Sequence, residues 1–441
     1  MENYTMITPP HLYRQISIPQ PFQTTTQIDG HALTFGGDIR VGDLTGDGAF
    51  DFLVYRCDTQ SELKPTFLGA FTTDGNILWQ VGSGGKQPLR PGSVTLYDIN
   101  NDGSDEVICF FHKPNGQTPK ESLNDIIFQI RSGQTGEVIL EKSHPAIQAR
   151  SGWGPNWCHQ RLFIANLRGT DFPQDIIIKL GDTVVAFDDN LELLWQYTIQ
   201  WNEYSKCSAY IPSVGDLTGD GRDEINGGYY ILNPDGTPRW EKQLAPNMDS
   251  VAIVPWDDGT MRAICSGGGH ILDKDGNARL ALGKETVPHG QEVRVGNFLP
   301  NHPSPQMVIR HEGHNPPVII VDNNGQIVSH FSLNSSPNET GMEVVHWNGD
   351  SEPDLIYNGG QLFDGNRNSL PLPDLPPPVG PKRMGWYHCI PGNFCGDTRE
   401  DILLYNPWAP DIYIYTSEPL DESAYRGYSA TARQYNARLM D

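Results

Sequence analysis

The stretch VGDLTGDGAFDFLVY, residues 41–55, decides the fold. An apolar β-run ends at Asp43, a Thr-Gly-Asp-Gly turn follows, and a second apolar run starts at Phe50. The arrangement recurs as LYDINNDGSDEVICF at residues 96–110 and VGDLTGDGRDEINGG at residues 214–228. Weaker copies complete a set of eight anchors: Asp43, Asp98, Asn166, Asp216, Trp256, Asn297, Trp347 and Asn393. Units of short strands recurring every 40 to 70 residues or so point to radial or solenoidal stacking, not to one conventional core.

Inside the first unit four short strands are legible. IRVGDL and FDFLVY flank the TGDG turn, and TFLGAF and ILWQVG flank TDGN. The second turn recurs at Asp235-Gly236, Asp275-Gly276, Asn324-Gly325 and Asp364-Gly365. Asp-Gly and Asn-Gly signal tight hairpins in which both central residues take positive φ. Four antiparallel strands repeated radially describe an all-β fold, a single β-propeller. The last unit has three strands, YHCIPGNF, EDILLY and DIYIYTS, while YRQISIP near the N-terminus is unassigned. A strand shared between the two ends closes the ring and removes an exposed edge. The sequence therefore predicts one domain over residues 1–441. Its repeats lie near 37–91, 92–157, 158–206, 207–246, 247–287, 288–336, 337–381 and 382–420, with a closing strand within 10–30. Eight blades are expected, or seven if the unit at Trp256 or Trp347 is not a blade.

A net charge of −23 argues against nucleic acid or an anionic membrane as partner. Seven cysteines, an odd number without framework spacing, give no disulfide prediction. The start MENYTMITPPHLYRQ lacks the basic and apolar regions of a signal peptide, and no run is long enough to span a membrane. Read literally, the chain is intracellular; it is secreted if a leader has been removed. A monomer is expected.

Strand alternation sorts the loops onto two faces. Turns after the anchors share one face with the Asp-Gly hairpins, and the entrances to each first strand lie on the other, the top. The long insertions, His112 to Asp125, Lys142 to Trp157 and Leu370 to Pro381, fall on the top. So do WCHQR (157–161), NEYSKCS (202–208), HGQEVR (289–294), KRMGWYHC (382–389), Arg56 and the run Arg310, His311, Glu312, His314. Seven of the thirteen histidines, His112, His159, His270, His289, His311, His314 and His388, are thus placed on one face with Arg161, Arg310 and Arg383. Any one of them could simply cap a strand; their concentration marks the top as the site.

The opposite face carries Asp43, Asp47 and Asp51; Asp98, Asn100, Asp102 and Glu106; and Asp216, Asp220 and Glu224. Alternating oxygens around a glycine suit a structural Ca²⁺. The same side chains could equally cap their own turns.

These turns resemble the FG-GAP propeller repeat of integrins and several polysaccharide lyases. HGQEVRVGNFLP (289–300), MVIRHEGH (307–314) and GNFCGDTREDILLY (392–405) look like the rhamnogalacturonan lyases of polysaccharide lyase family 11. They are also similar to propeller lyases and hydrolases of rhamnose–glucuronate links. No segment reads as the N-terminal β-domain of family 11. The resemblance implies an acidic, rhamnose-containing oligo- or polysaccharide as partner, cleaved by β-elimination.

Elimination needs a cation at the uronate carboxylate, a base for the C5 proton and an acid for the leaving oxygen. No cofactor is expected in that chemistry. Arg161 and Arg310 are candidate clamps because the guanidinium fork grips carboxylates in a bidentate manner. His311, His314, Gln291 and Arg383 are further binding candidates. His289, His159 or His388 could act as base, and Tyr204 or Tyr387 as acid, with Tyr210 less well placed. Trp153, Trp157 and Trp386 could stack on sugar rings. A hydrolase would instead draw two carboxylates from Glu203, Asp249, Glu292, Glu312 and Glu343. Glu292 and Glu312 could equally be partners that orient Arg294 and Arg310. A non-catalytic carbohydrate- or protein-binding propeller is the third reading.

Overall fold

The computed structural model describes residues 7–417 apart from 59–63, 89–91, 113–125, 149–160, 200–208, 210, 246, 313–316, 334–340, 350–352, 381–385 and 398. Eight four-stranded antiparallel sheets follow one another along the chain. The first is formed by Asp38–Gly42, Asp51–Cys57, Pro65–Thr72 and Ile77–Gly82, called A to D from the inside outward. First strands of successive sheets neighbour one another around the ring, so the A strands form its inner wall.

His11–Ser17 supplies strand D of the eighth blade. It pairs antiparallel with Asp411–Thr416 and puts both ends of the ring in one sheet. Eight blades and closure by the N-terminal strand are therefore as the sequence predicts. The connection from this strand to the first blade carries an unforeseen hairpin, Thr24–Ile28 with His31–Phe35.

The core is distributed. Eight hydrophobic clusters lie in the eight gaps between blades. Leu53, Leu68 and Trp79 of the first blade, for example, pack on Val94, Val107 and Phe111 of the second. The B strands are buried on both sides, as in DFLVYRC and DIIIKL, because both sheet faces meet a neighbour.

Hydrogen bonds reinforce each gap. Asp43 N–H donates to Asp105 Oδ2 at 2.9 Å while Asp105 N–H returns to Asp43 O at 2.7 Å. Asn166 and Asp223 repeat this reciprocal clasp, as do Asn297 and Asp354. In the seventh blade the partner of Glu400 is His346, so the anchor position is His346 and not Trp347. Trp347 is buried one residue later and donates its indole N–H to Thr8 O at 2.9 Å.

The C-to-D hairpins differ from the expected two-residue turns. At Asp364-Gly365 the left-handed residue is Arg367; at the other four turns the glycine, Gly75, Gly236, Gly276 or Gly325, takes positive φ and the preceding Asp or Asn does not. Each glycine N–H closes a turn on the residue three before it, and the register slips at that point. These are type I turns followed by a left-handed glycine bulge. At Gly236 a Cβ would lie 2.4 Å from the Trp195 ring of the previous blade, so the close blade contact also demands glycine there.

Candidate active site at the channel mouth

Strand A of every blade enters from the top, so its first residues ring the mouth of the channel. Three groups of polar side chains assemble there.

The first joins blades five and six. His289 precedes strand A of the sixth blade, Gly290–Gly296, and Asp249 precedes that of the fifth, Val251–Pro255. His289 Nε2 lies 3.0 Å from Asp249 Oδ2, and the Gln291 amide donates to the same oxygen. The His289 side chain is 38% exposed whereas Asp249 is 7% exposed. The hydrogen bond to Asp249 raises the imidazole pKa above its ordinary value, outweighing the opposing effect of burial. The tautomer in which Nε2–H donates to the carboxylate leaves the lone pair on Nδ1.

The second group lies beside it. Arg310 Nε meets Glu292 Oε2 at 2.6 Å, with both side chains 0% exposed. Glu292 also accepts Met342 N–H at 2.8 Å. Arg294, 18% exposed, lies 3.9 Å from Glu292 and 3.7 Å from Glu343, and donates to Ser250 Oγ next to Asp249.

The third group joins blades eight, one and three. Tyr55 and Tyr405 hydroxyls both donate to the buried Asp38 carboxylate, which also pairs with Arg40 at 3.1 Å. These contacts and Arg40 hold Asp38 below its usual pKa despite burial, which acts the other way. Arg161 adds a buried charge, lowered to about 10 by burial and repulsion from Arg40. His388 tilts against the Tyr405 ring at 5.2 Å, and burial pushes its pKa down to about 4.

Several expectations need correction. Arg310 is enclosed and neutralised by Glu292, so it is not displayed to a ligand. Tyr387 belongs to the apolar gap between blades seven and eight, edge-on to Tyr413, and burial raises its phenol pKa. His311 is buried and burial lowers its pKa. His270 contacts Gly267 O at 2.7 Å, a capping role. Trp386 is half-buried. His159, Tyr204, Tyr210, His314, Arg383, Trp153, Trp157 and Glu203 lie outside the described residues. Asp38, Arg40, Tyr55 and Tyr405 were missed. The available signal was Arg-Val-Gly before the anchor, shared by Arg40 in the first blade and Arg294 in the sixth.

On the opposite face the turn oxygens are engaged by backbone amides. Asp43 accepts from Gly46, Asp47 and Gly48. Asp216 accepts likewise from Gly219, Asp220 and Gly221, and Asp98 from Asp102 and Gly103. Asp47 and Asp220 each cap the residue two further on, while Asp51 caps Thr45. Asn100 contacts Asp102 and Glu106. No cluster of three or more His, Cys, Asp or Glu side chains suited to a metal occurs among the described residues.

No family model matches the chain. It is 24% identical over 268 residues to the rhamnogalacturonan endolyase YesW of Bacillus subtilis, a match covering 51% of this chain and 42% of the relative. It is 22% identical over 250 residues to the rhamnogalacturonan exolyase YesX of the same organism, covering 47% and 40%. These matches thus span less than half the length of either relative. The fold superposes on a Bacillus licheniformis rhamnogalacturonan lyase with TM-score 0.72 at 16% identity, covering 97% of this chain and 81% of that one. It also superposes on the Vibrio cholerae biofilm matrix protein Bap1 with TM-score 0.60 at 13% identity, covering 97% and 94%. Structural likeness at this identity establishes the ring alone, and rings of this kind carry different activities.

Proposed function

We propose that this chain is a polysaccharide lyase that cleaves a rhamnose–uronate linkage of the rhamnogalacturonan type by β-elimination. The observation that carries the reading is the His289–Asp249 pair at the channel mouth, a half-exposed imidazole held by a buried carboxylate. A base oriented by a third group is the arrangement that makes imidazole effective in proton transfer. The two curated relatives, both rhamnogalacturonan lyases, support the substrate class.

Arg294, partly exposed and bonded to Ser250 beside Asp249, is the cation we assign to the uronate carboxylate. Neutralising that carboxylate makes the C5 proton acidic. His289 Nδ1 takes the proton, the C4–oxygen bond breaks, and a C4–C5 double bond forms. The leaving oxygen receives its proton from the imidazolium or from a second acid such as Tyr204. Arg310 serves by holding Glu292, not by touching substrate.

The hydrolase reading is weaker because, among the described candidates, Asp249, Glu292 and Glu343 are buried and engaged and Glu312 is the one exposed carboxylate. A glycosidase needs two carboxyl groups open to the bond. Incubation with rhamnogalacturonan and mass analysis of the products tests the proposal. An unsaturated uronate absorbing in the ultraviolet is expected; saturated products, heavier by one water, would replace it with hydrolysis. We further propose that no metal takes part in the proton transfers and that calcium, if bound at the turns, is structural. A chelator should then reduce turnover only as far as it unfolds the protein.

A further inference from the structure

The hairpin Thr24–Ile28 with His31–Phe35 is no part of any blade, and it lies on the top face. Strand D of the eighth blade runs upward, and the hairpin fills the connection from there to the first blade. Between it and the loop after Gly82 lies a cavity of about 580 Å³ lined by Thr24, Thr25, Thr26, Asp29, Lys86 and Trp408, among others.

One residue fixes the base of this cavity. Arg56 donates to Phe22 O and Gly36 O, at the two ends of the insertion, each at 2.6 Å. Its Nε donates to Gly84 O of the facing loop, also at 2.6 Å, and the guanidinium lies 3.8 Å over the Phe67 ring. Three segments are thus tied to one buried cation. Lys86 is rooted by paired backbone hydrogen bonds to Cys57 at 2.7 and 3.0 Å. Its ammonium has no ion pair or side-chain hydrogen bond among the described residues. Lys86 is exposed beside the cavity, and in a chain of net charge −23 a local cation of this kind favours an anionic ligand.

We propose that this cavity is a second glycan subsite on the reactive face, binding one uronate residue of the substrate away from the point of cleavage. The inference rests on the lyase reading for its choice of ligand. Lys86 meets the carboxylate and threonine hydroxyls meet the ring hydroxyls, while Phe35 and Trp408, buried edge-on against each other, form the floor beneath the hairpin. Asp29 at the rim accepts a hydroxyl and disfavours a second carboxylate. The cavity borders blades eight and one, whereas His289 stands at the junction of five and six. A chain occupying both must therefore cross the channel mouth.

The test uses calorimetric titration of the His289→Ala protein, which should not consume its ligand, with a rhamnogalacturonan oligosaccharide and with its carboxyl-reduced counterpart. Adding Lys86→Ala should weaken binding of the acidic ligand by roughly tenfold, the loss of one charge-assisted hydrogen bond. Lys86→Arg should restore most of it, and the reduced ligand should not distinguish the three proteins. Equal affinity of the acidic ligand with and without Lys86 would overturn the subsite and leave the lyase reading standing. No binding of the acidic ligand by His289→Ala alone would overturn both.

Discussion

Asp105 reaches backwards across a blade boundary to Asp43, while Glu106, the next residue, caps the turn of its own blade through Ile99 N–H. Asp223 and Glu224 divide the work identically, on Asn166 and Leu217. The repeated acidic pair before strand B is thus one inter-blade clasp followed by one local cap. Both acids are positioned for the fold.

These buried acids make stability depend on pH. Burial raises Asp105 and Glu106 to about 7, and Asp223 to about 6. Their folded values exceed the unfolded ones, so the folded state holds extra protons below them and loses that advantage as pH rises through 6 to 7. Buried His388 and His311 have lowered values and act in the opposite direction, chiefly below the ordinary histidine pKa. The melting temperature, measured with chelator present, should therefore fall between pH 6.5 and 8. Asp105→Asn should flatten that slope; an unchanged slope would contradict the assignment.

Asp216→Ala removes an acceptor from three backbone N–H groups on the face away from the channel mouth. A loss of about 1–2 kcal/mol is expected, with activity per folded molecule nearly intact. Thermal melts and turnover at a temperature where both proteins are folded will show this. Lost activity in a stable variant would mean that the faces have been assigned the wrong way round.

Arg310→Met should damage stability before it affects binding. It leaves Glu292 buried without its 2.6 Å partner, and breaking such a pair costs about 3–5 kcal/mol. Denaturant unfolding measures the loss directly. A variant of normal stability that fails only in substrate binding would return Arg310 to the role of clamp.

His289→Ala should lower kcat by roughly a hundredfold or more. The raised pKa of His289 places the acidic limb of the kcat/KM profile above the ordinary histidine value, because the base must be unprotonated. Asp249→Asn removes the cause of that rise, so the limb should move to lower pH as the rate drops. A limb that stays in place would assign it to another group.

The ring was legible because its signals are local. Asp-Gly turns, alternating strands and the acidic pair recur at matching positions, and the missing fourth strand after Ser417 had one plausible donor. The misread anchor at Trp347 shows the limit: a tryptophan stood where a conspicuous residue was sought, while His346 filled the backbone role. The site was less legible, because burial decides what a titratable residue can do and sequence position does not reveal burial. Arg310 and His289 stand at the same open end of one motif-rich hairpin, yet one is enclosed and the other half-open. Asp38, Tyr55 and Tyr405 meet only after the ring closes, with Tyr405 367 positions from Asp38.

Pairing of His11–Ser17 with Asp411–Thr416 also orders events in time. Ser17 and Asp411, whose side chains are bonded at 2.6 Å, are separated by 394 positions. On a ribosome adding roughly 5–20 residues per second, the first strand waits on the order of tens of seconds for its partner. During that interval its backbone donors and acceptors have no place in any sheet, and the hairpin after it has no completed rim to rest on. Contacts this distant in sequence slow folding. Expression yield should thus respond to translation rate and to chaperones that shield the nascent segment from His11 to Phe35, more than to changes within any middle blade.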